Sequence, residues 1–216
     1  MPAPSAGCHL AASLADPVDW RCGRQRYAVW LLPVESPEVL VRWRQLQAAL
    51  QPWCWPALRQ PHITLQVCGF TDGDGSRADD VSPVQLAHQW LALQRLRPRS
   101  FDLWVGGPDS FDAAAYLTVE DPGAALQALR PCLALPHGEF RTVPYRPHLT
   151  LGLYRQPWPR SSLAAWWRRW AQAACVPLRL PVTRVLLAEY DARALGGRWW
   201  VRQSLRLREA IPVQRS

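Results

Sequence analysis

Pro61-His62-Ile63-Thr64-Leu65 and Pro147-His148-Leu149-Thr150-Leu151 are two copies of one pattern, Pro-His-x-Thr-Leu, in a chain that holds only five histidines. Each copy runs on in alternation, through Gln66-Val67 in the first and Gly152-Leu153 in the second. Alternation is the period of a strand, whose successive side chains point to opposite faces. His62, Thr64 and Gln66 are therefore expected on one face, with Ile63, Leu65 and Val67 on the other. His148 and Thr150 share a face in the same manner, opposite Leu149, Leu151 and Leu153. The aliphatic faces suit packing against helices, which leaves imidazole and hydroxyl on the side of a cleft, held by rigid strands.

The elements around each copy follow one order. Residues 27–32 read as a strand, and Ser36-Pro37-Glu38 as a helix start in which Ser caps, Pro fits the first turn and Glu meets the dipole. Val39, Leu40, Trp43, Leu46 and Leu50 then recur at helical spacing. After the first motif strand come a Gly/Asp-rich turn over 69–80, a capped helix from Ser82-Pro83 to about residue 96, and a strand over 101–105. The second half repeats this, with a strand at 115–119, a helix start at Asp121-Pro122 and a helix to about residue 133. Pro37 precedes His62 by 25 positions (62 − 37) and Pro122 precedes His148 by 26 (148 − 122), so the spacing predicts an internal duplication.

Ser161-Ser162 opens a further helix to about residue 174. Residues 178–189 and 198–207 read as closing strands, joined by a hairpin across Ala194-Leu195-Gly196-Gly197. The loops are too short for every strand pair to be parallel, so the expected class is α+β with mostly antiparallel sheets. Residues 1–25, rich in Ala, Pro and Ser, are expected as a loosely ordered arm, 26–208 as the domain, and 209–216 as a tail.

With 216 residues, 49% of them hydrophobic, the chain can bury a substantial core. It has neither a basic, apolar leader nor a window of about eighteen uncharged apolar residues, so a soluble, cytoplasmic protein without a membrane partner is expected. Cys8, Cys22, Cys54, Cys68, Cys132 and Cys175 form no C-x-x-C pair and are read as reduced thiols. The net charge is +8 and all 25 basic residues are arginine, which suits phosphate-bearing partners. An Ala, Arg, Pro, Leu and Trp surplus without lysine also fits coding bias in a GC-rich genome, so composition supports the motif argument without leading it.

If an approximate two-fold axis relates the halves, two histidines and two threonines meet around one phosphorus. In-line displacement at a phosphodiester takes a proton from the nucleophile and gives one to the leaving oxygen. Imidazole, titrating near ~6.5, can serve either role. Thr64 and Thr150, each two residues on, can donate to non-bridging oxygens. No metal or cofactor is required by this scheme, and Asp72, Asp74, Asp79 and Asp80 have a spacing that fits a calcium loop poorly. His9, His88 and His137 lack the following threonine and are not candidates.

In PHITL at 61–65 and RPHLTL at 146–151 the chain resembles the 2H phosphoesterase superfamily, named for two His-x-Ser/Thr motifs. Within it the chain looks like the bacterial RNA 2′,3′-cyclic phosphodiesterase branch, long labelled 2′-5′ RNA ligase. The similarity covers roughly 26–208, where the order of elements agrees, although only the two motifs are specific. The resemblance implies a bilobal fold, with two antiparallel sheets flanking a central water-filled cleft and helices on the outer faces. It implies opening of a 2′,3′-cyclic phosphate to a 2′-phosphomonoester, His62 protonating the departing 3′ oxygen and His148 activating water, with 2′-5′ ligation as a minor reversal. The implied partner is RNA or a nucleotide with a cyclic phosphate, and a monomer is expected. The long arm and the absence of lysine depart from the family.

Arg146 falls on the face of His148 if the strand extends that far, and Tyr145 could stack a base, so both are candidate substrate contacts. Trp166, Trp167 and Trp170 with Arg168 and Arg169 fit a core-packed helix face with an arginine rim better than a base-stacking surface. The motifs equally suit a small cyclic nucleotide, an ADP-ribose cyclic phosphate or a 2′-5′ linkage. A non-catalytic RNA-binding module could also retain such a cleft.

Overall fold

Both motifs start strands. The computed structural model describes residues 18–57, 59–134, 144–173, 176–194 and 197–209. In chain order the elements are α1 (Val18–Arg21), β1 (Arg26–Pro33), α2 (Pro37–Ala49), β2 (Cys54–Pro56), β3 (His62–Phe70), α3 (Pro83–Leu96) and β4 (Phe101–Ser110). They continue as β5 (Ala114–Glu120), α4 (Ala125–Ala134), β6 (His148–Tyr154), α5 (Arg160–Ala173), β7 (Leu178–Val182), β8 (Arg184–Asp191) and β9 (Trp199–Arg206).

The strands form a curled antiparallel sheet in the order β7-β4-β5-β6-β3-β1-β8-β9, with β2 added alongside β6. It divides between β6 and β3 into two halves, five strands counting β2 on the β6 side and four on the β3 side, each with its histidine strand at the seam. These are the two expected antiparallel sheets, joined through one pair, Ile63 with Leu149. Helices α2 to α5 bury Val39, Trp43, Leu46, Leu93, Leu126, Leu129, Leu133 and Leu163 in one core on one face of the sheet. A second cluster around Tyr27, Leu31, Phe70 and Tyr190 lies on the other face.

The duplication extends to an irregularity. Leu31 pairs with Thr64 and Trp30 with Gln66, so Leu65 is bulged out of register. Tyr116 pairs with Thr150 and Ala115 with Gly152, so Leu151 is bulged likewise. Both bulges sit three residues after the histidine. A bulge shifts the alternation by one. Gln66 therefore pairs with Trp30 of the helix-side core, and Val67 joins Leu31 on the other face. The expectation that Gln66 shares the face of His62 and Thr64 fails for that reason.

Local signals hold unevenly. Ser82 and Gln85 make a reciprocal capping box at α3, with Gln85 N to Ser82 Oγ at 3.2 Å and Ser82 N to Gln85 Oε1 at 2.7 Å. Ser36, expected to cap α2, instead donates to Glu38 at 2.8 Å and makes no cap bond. Asp121 does cap α4, its carboxylate accepting from Ala125 N at 3.1 Å and Leu126 N at 2.7 Å. Pro122 lies in a turn before α4, unlike Pro37 in the first turn of α2, so the helices correspond while these prolines do not.

The stretch 178–189, expected as one strand, is two. β7 pairs with β4 in one half and β8 with β1 in the other, so the chain changes halves at Thr183. The closing hairpin of β8 and β9 is present, although Leu195 and Gly196 of its turn lie outside the described residues.

Order also begins before Arg26. Arg24, 6% exposed, donates from Nη1 to Asp79 at 2.7 Å and Asp80 at 2.5 Å, and its guanidinium lies 3.9 Å over the Phe70 ring. Asp72 accepts from the backbone N–H groups of Gln25 and Arg26. The Asp-rich loop thus fastens the segment after α1 to the sheet. Residues 1–17 of the expected arm and 210–216 of the expected tail lie outside the described residues.

Candidate active site

β3 and β6 are antiparallel and meet only where each begins, because Ile63 opposite Leu149 is their one pair. Continuing that register one residue each way sets His62 across from Thr150 and Thr64 across from His148. Ile63 and Leu149 are buried in the helix-side core, so by alternation these four residues share the opposite face. The expected juxtaposition of both motifs is present.

The two imidazoles are held alike. His62 Nδ1 lies 2.7 Å from the Gln60 carbonyl oxygen, and His148 Nδ1 lies 2.8 Å from that of Arg146. A carbonyl only accepts, so each Nδ1 carries a hydrogen, which leaves each Nε2 free to take or give a proton at the reacting centre. The carbonyl is that of the residue two before the histidine in both cases, with proline between.

Their surroundings differ. Burial pushes the half-buried His62 down to about 4, and the charges of Arg59 and His148 act in the same direction, against the bond to Gln60. Trp199 stands edge-on to the His62 ring with centroids 6.4 Å apart. The Gln60 side chain clasps the Trp199 backbone, accepting from its N–H at 3.1 Å and donating to its carbonyl at 3.0 Å. His148 meets two rings edge-on, Phe111 at 4.8 Å and Tyr116 at 5.4 Å, which are stacked on each other at 4.2 Å.

Arg146 precedes β6 and is exposed, and its Nη1 donates to the Tyr116 hydroxyl at 2.9 Å. That hydroxyl donates in turn to Asp109 Oδ2 at 2.8 Å. Arg146 therefore stands with the His148 ring contacts, as a shared face with His148 requires. Tyr145 turns toward the other motif, its hydroxyl donating to the Thr64 carbonyl oxygen at 3.0 Å while Arg130 lies 3.7 Å over its ring.

Trp166, Trp167 and Trp170 pack against the helix-side core, in keeping with the packing reading. Among the described residues no group of three or more His, Cys, Asp or Glu gathers as metal ligands. Gln60, Arg59, Phe111, Tyr116 and Trp199 join the site without having been expected there. Gln60 had a signal, since it occupies in the first motif the place of Arg146 in the second. Phe111, Tyr116 and Trp199 lie on or beside strands whose neighbours sequence periodicity does not reveal.

No curated protein matches the sequence. Solved structures share the fold. Escherichia coli LigT in its apo form superposes with a TM-score of 0.58 at 16% identity, covering 86% of this chain and 99% of that one. TT0787 of Thermus thermophilus gives 0.59 at 18% identity over 85% and 98%. E. coli LigT complexed with 3′-AMP gives 0.58 at 18% over 85% and 98%. The family model of the 2′-5′ RNA ligase superfamily matches residues 32–194, a span that contains both histidine motifs. The chain therefore belongs to the 2′-5′ RNA ligase superfamily of 2H phosphoesterases.

Proposed function

We propose that this protein hydrolyses 2′,3′-cyclic phosphate ends of RNA to 2′-phosphomonoesters without a metal ion. The observation that carries the reading is the matched pair of imidazoles, each with Nδ1–H tied to a carbonyl, on two strands that join at Ile63 and Leu149. One histidine Nε2 takes a proton from water as its oxygen attacks phosphorus. The other gives its proton to O3′ as the P–O3′ bond breaks, leaving the phosphate on O2′. Thr64 and Thr150 donate to the non-bridging oxygens. Arg146 adds positive charge on the His148 side, whereas Tyr145, packed with the helix-side core and covered by Arg130, is turned away from the substrate.

The environment of His62 favours it as the base. Burial and the nearby Arg59 and His148 hold His62 below the ordinary imidazole range, so at neutral pH it rests unprotonated and suited to accept a proton. His148 is then the acid, the reverse of the assignment carried over from the family. RNA is favoured over an unrelated diester because the similar LigT structures include a complex with 3′-AMP. The location proposed is the cytoplasm, and the working unit a monomer.

The test is hydrolysis, in EDTA, of an oligonucleotide and a mononucleotide ending in a 2′,3′-cyclic phosphate. Turnover to a 2′-phosphate, with preference for the oligonucleotide, supports the reading. Turnover of the mononucleotide alone moves it to a small cyclic nucleotide. Salt-sensitive RNA binding without turnover replaces it with a binding module.

A further inference from the structure

The bulges at Leu65 and Leu151 take the Thr-Leu peptides of both motifs out of register with their strand partners. Buried carbonyls need other donors. On β6 the Thr150 carbonyl accepts from the Trp43 indole Nε1 at 2.8 Å, and the Leu151 carbonyl accepts from Gln47 Nε2 at 3.0 Å and from the Ala57 N–H at 3.2 Å. Trp43 and Gln47 stand four residues apart on α2, one above the other on the same helix face. On β3 the Thr64 carbonyl accepts from the Tyr145 hydroxyl at 3.0 Å, and the Leu65 carbonyl accepts from Arg130 Nη1. Arg130, on α4, also covers the Tyr145 ring.

The arrangement is crossed. α2 precedes the first motif and supports the second. α4 precedes the second motif and supports the first. In each half an aromatic donor serves the threonine carbonyl and a long helix side chain serves the leucine carbonyl beyond it.

We infer that Trp43 with Gln47, and Tyr145 with Arg130, are positioning residues that fix the bulged peptide of the opposite half and thereby aim the Thr150 and Thr64 hydroxyls at the reacting phosphate. This rests on the acid–base reading above. One donor holds the peptide that follows the threonine and the other holds the next peptide, so the two successive planes around the bulged leucine are both fixed and the threonine Cα cannot tilt without breaking the bond to its own carbonyl. Each half is thereby made competent by the other, and neither threonine is placed by its own half alone.

The experiment is a set of double-mutant cycles in the full chain. Gln47→Met keeps length and Arg130→Met keeps an unbranched apolar stem, each without the donor, while Arg130→Lys restores one. With the cyclic-phosphate oligonucleotide, each Met variant is expected to lower kcat about tenfold or more, with KM little changed, and Arg130→Lys to recover part of the loss. Gln47→Met is expected to have no further effect once Thr150→Ala is present, yet its full effect beside Thr64→Ala. Arg130→Met is expected to show the opposite pattern. Additive losses in every background, or coupling to the threonine of the same half, would overturn the inference.

Inorganic phosphate affinity, measured by calorimetry on the same variants, separates this inference from the proposed function. If wild type turns over nothing but phosphate binding shows the crossed pattern, the proposed function fails and the inference stands. Turnover with additive losses leaves the proposed function standing and overturns the inference. Absence of both turnover and phosphate binding overturns both.

Discussion

Ile63 faces Leu149 across the centre of the sheet, and this one pair is where the two halves of the molecule join through hydrogen-bonded strands. Both side chains are buried, at 0% and 1% exposure, so the spacing of the catalytic face is set by packing on the face behind it. Leu149→Ala is expected to cost about 2–5 kcal/mol through the lost contacts and the cavity left behind. Urea unfolding measures the cost. A loss of kcat beyond any change in folded fraction would show that the seam also sets the distance between the histidines.

His62→Ala and His148→Ala each remove one side of a proton-transfer pair. Each is expected to lower kcat/KM by about a hundredfold or more while the protein remains folded by circular dichroism. Variants with wild-type turnover would exclude this site as the reacting centre.

The depressed titration of His62 has a definite sign. In the unfolded chain the imidazole titrates near ~6.5, and in the folded protein near 4. The unfolded state thus binds more protons between these values, and stability falls as pH is lowered from about 6.5 through 4. His62→Asn is expected to flatten that part of the stability–pH curve, read from unfolding midpoints at a series of pH values. The same protonation defines the acid limb of kcat/KM if His62 is the base. An acid limb indifferent to His62 substitution would remove it from that role.

Arg24 is enclosed by the carboxylates of Asp79 and Asp80 and the carbonyls of Arg21 and Trp20. Arg24→Ala strands the Asp80 carboxylate, whose side chain is 4% exposed, without its cation. A loss of about 3–5 kcal/mol is expected on chemical denaturation, with earlier proteolysis in the loop over 69–80. Unchanged stability would mean that the cluster is solvated in solution.

At Gly152 the close approach of β2 to β6 leaves no room for a side chain. A Cβ there would lie 2.5 Å from the Trp55 carbonyl oxygen and 2.9 Å from the Cys54 Cβ. Gly152→Ala is expected to destabilise by about 1–3 kcal/mol, because both obstacles belong to a paired strand. A melting temperature equal to wild type would show that β2 shifts freely.

Tyr116→Phe deletes only the hydroxyl that links Arg146 to Asp109 and keeps the stack on Phe111. Its expected effect is a several-fold rise in KM without a matching fall in kcat, because it frees Arg146 without touching either imidazole. Equal KM values would mean that Arg146 does not meet the substrate.

The sequence by itself determined much of what depends on neighbours a few positions away, though not the Ser36 cap or the place of Pro122. The strand character of both motifs, the shared face of each His and Thr, the Ser82–Gln85 box and the duplicated order of elements all follow from periods of two and 3.6 residues and from capping chemistry. Only the tertiary structure decided what lies across the fold. The bulges at Leu65 and Leu151 arise from register with β1 and β5, and they turn Gln66 away from the face its alternation assigns it. Arg24 looks like one arginine among 25 until Asp79 and Asp80 close on it. Strand pairing and helix packing join residues tens of positions apart, and their partners depend on the path of the whole chain, which no local period encodes.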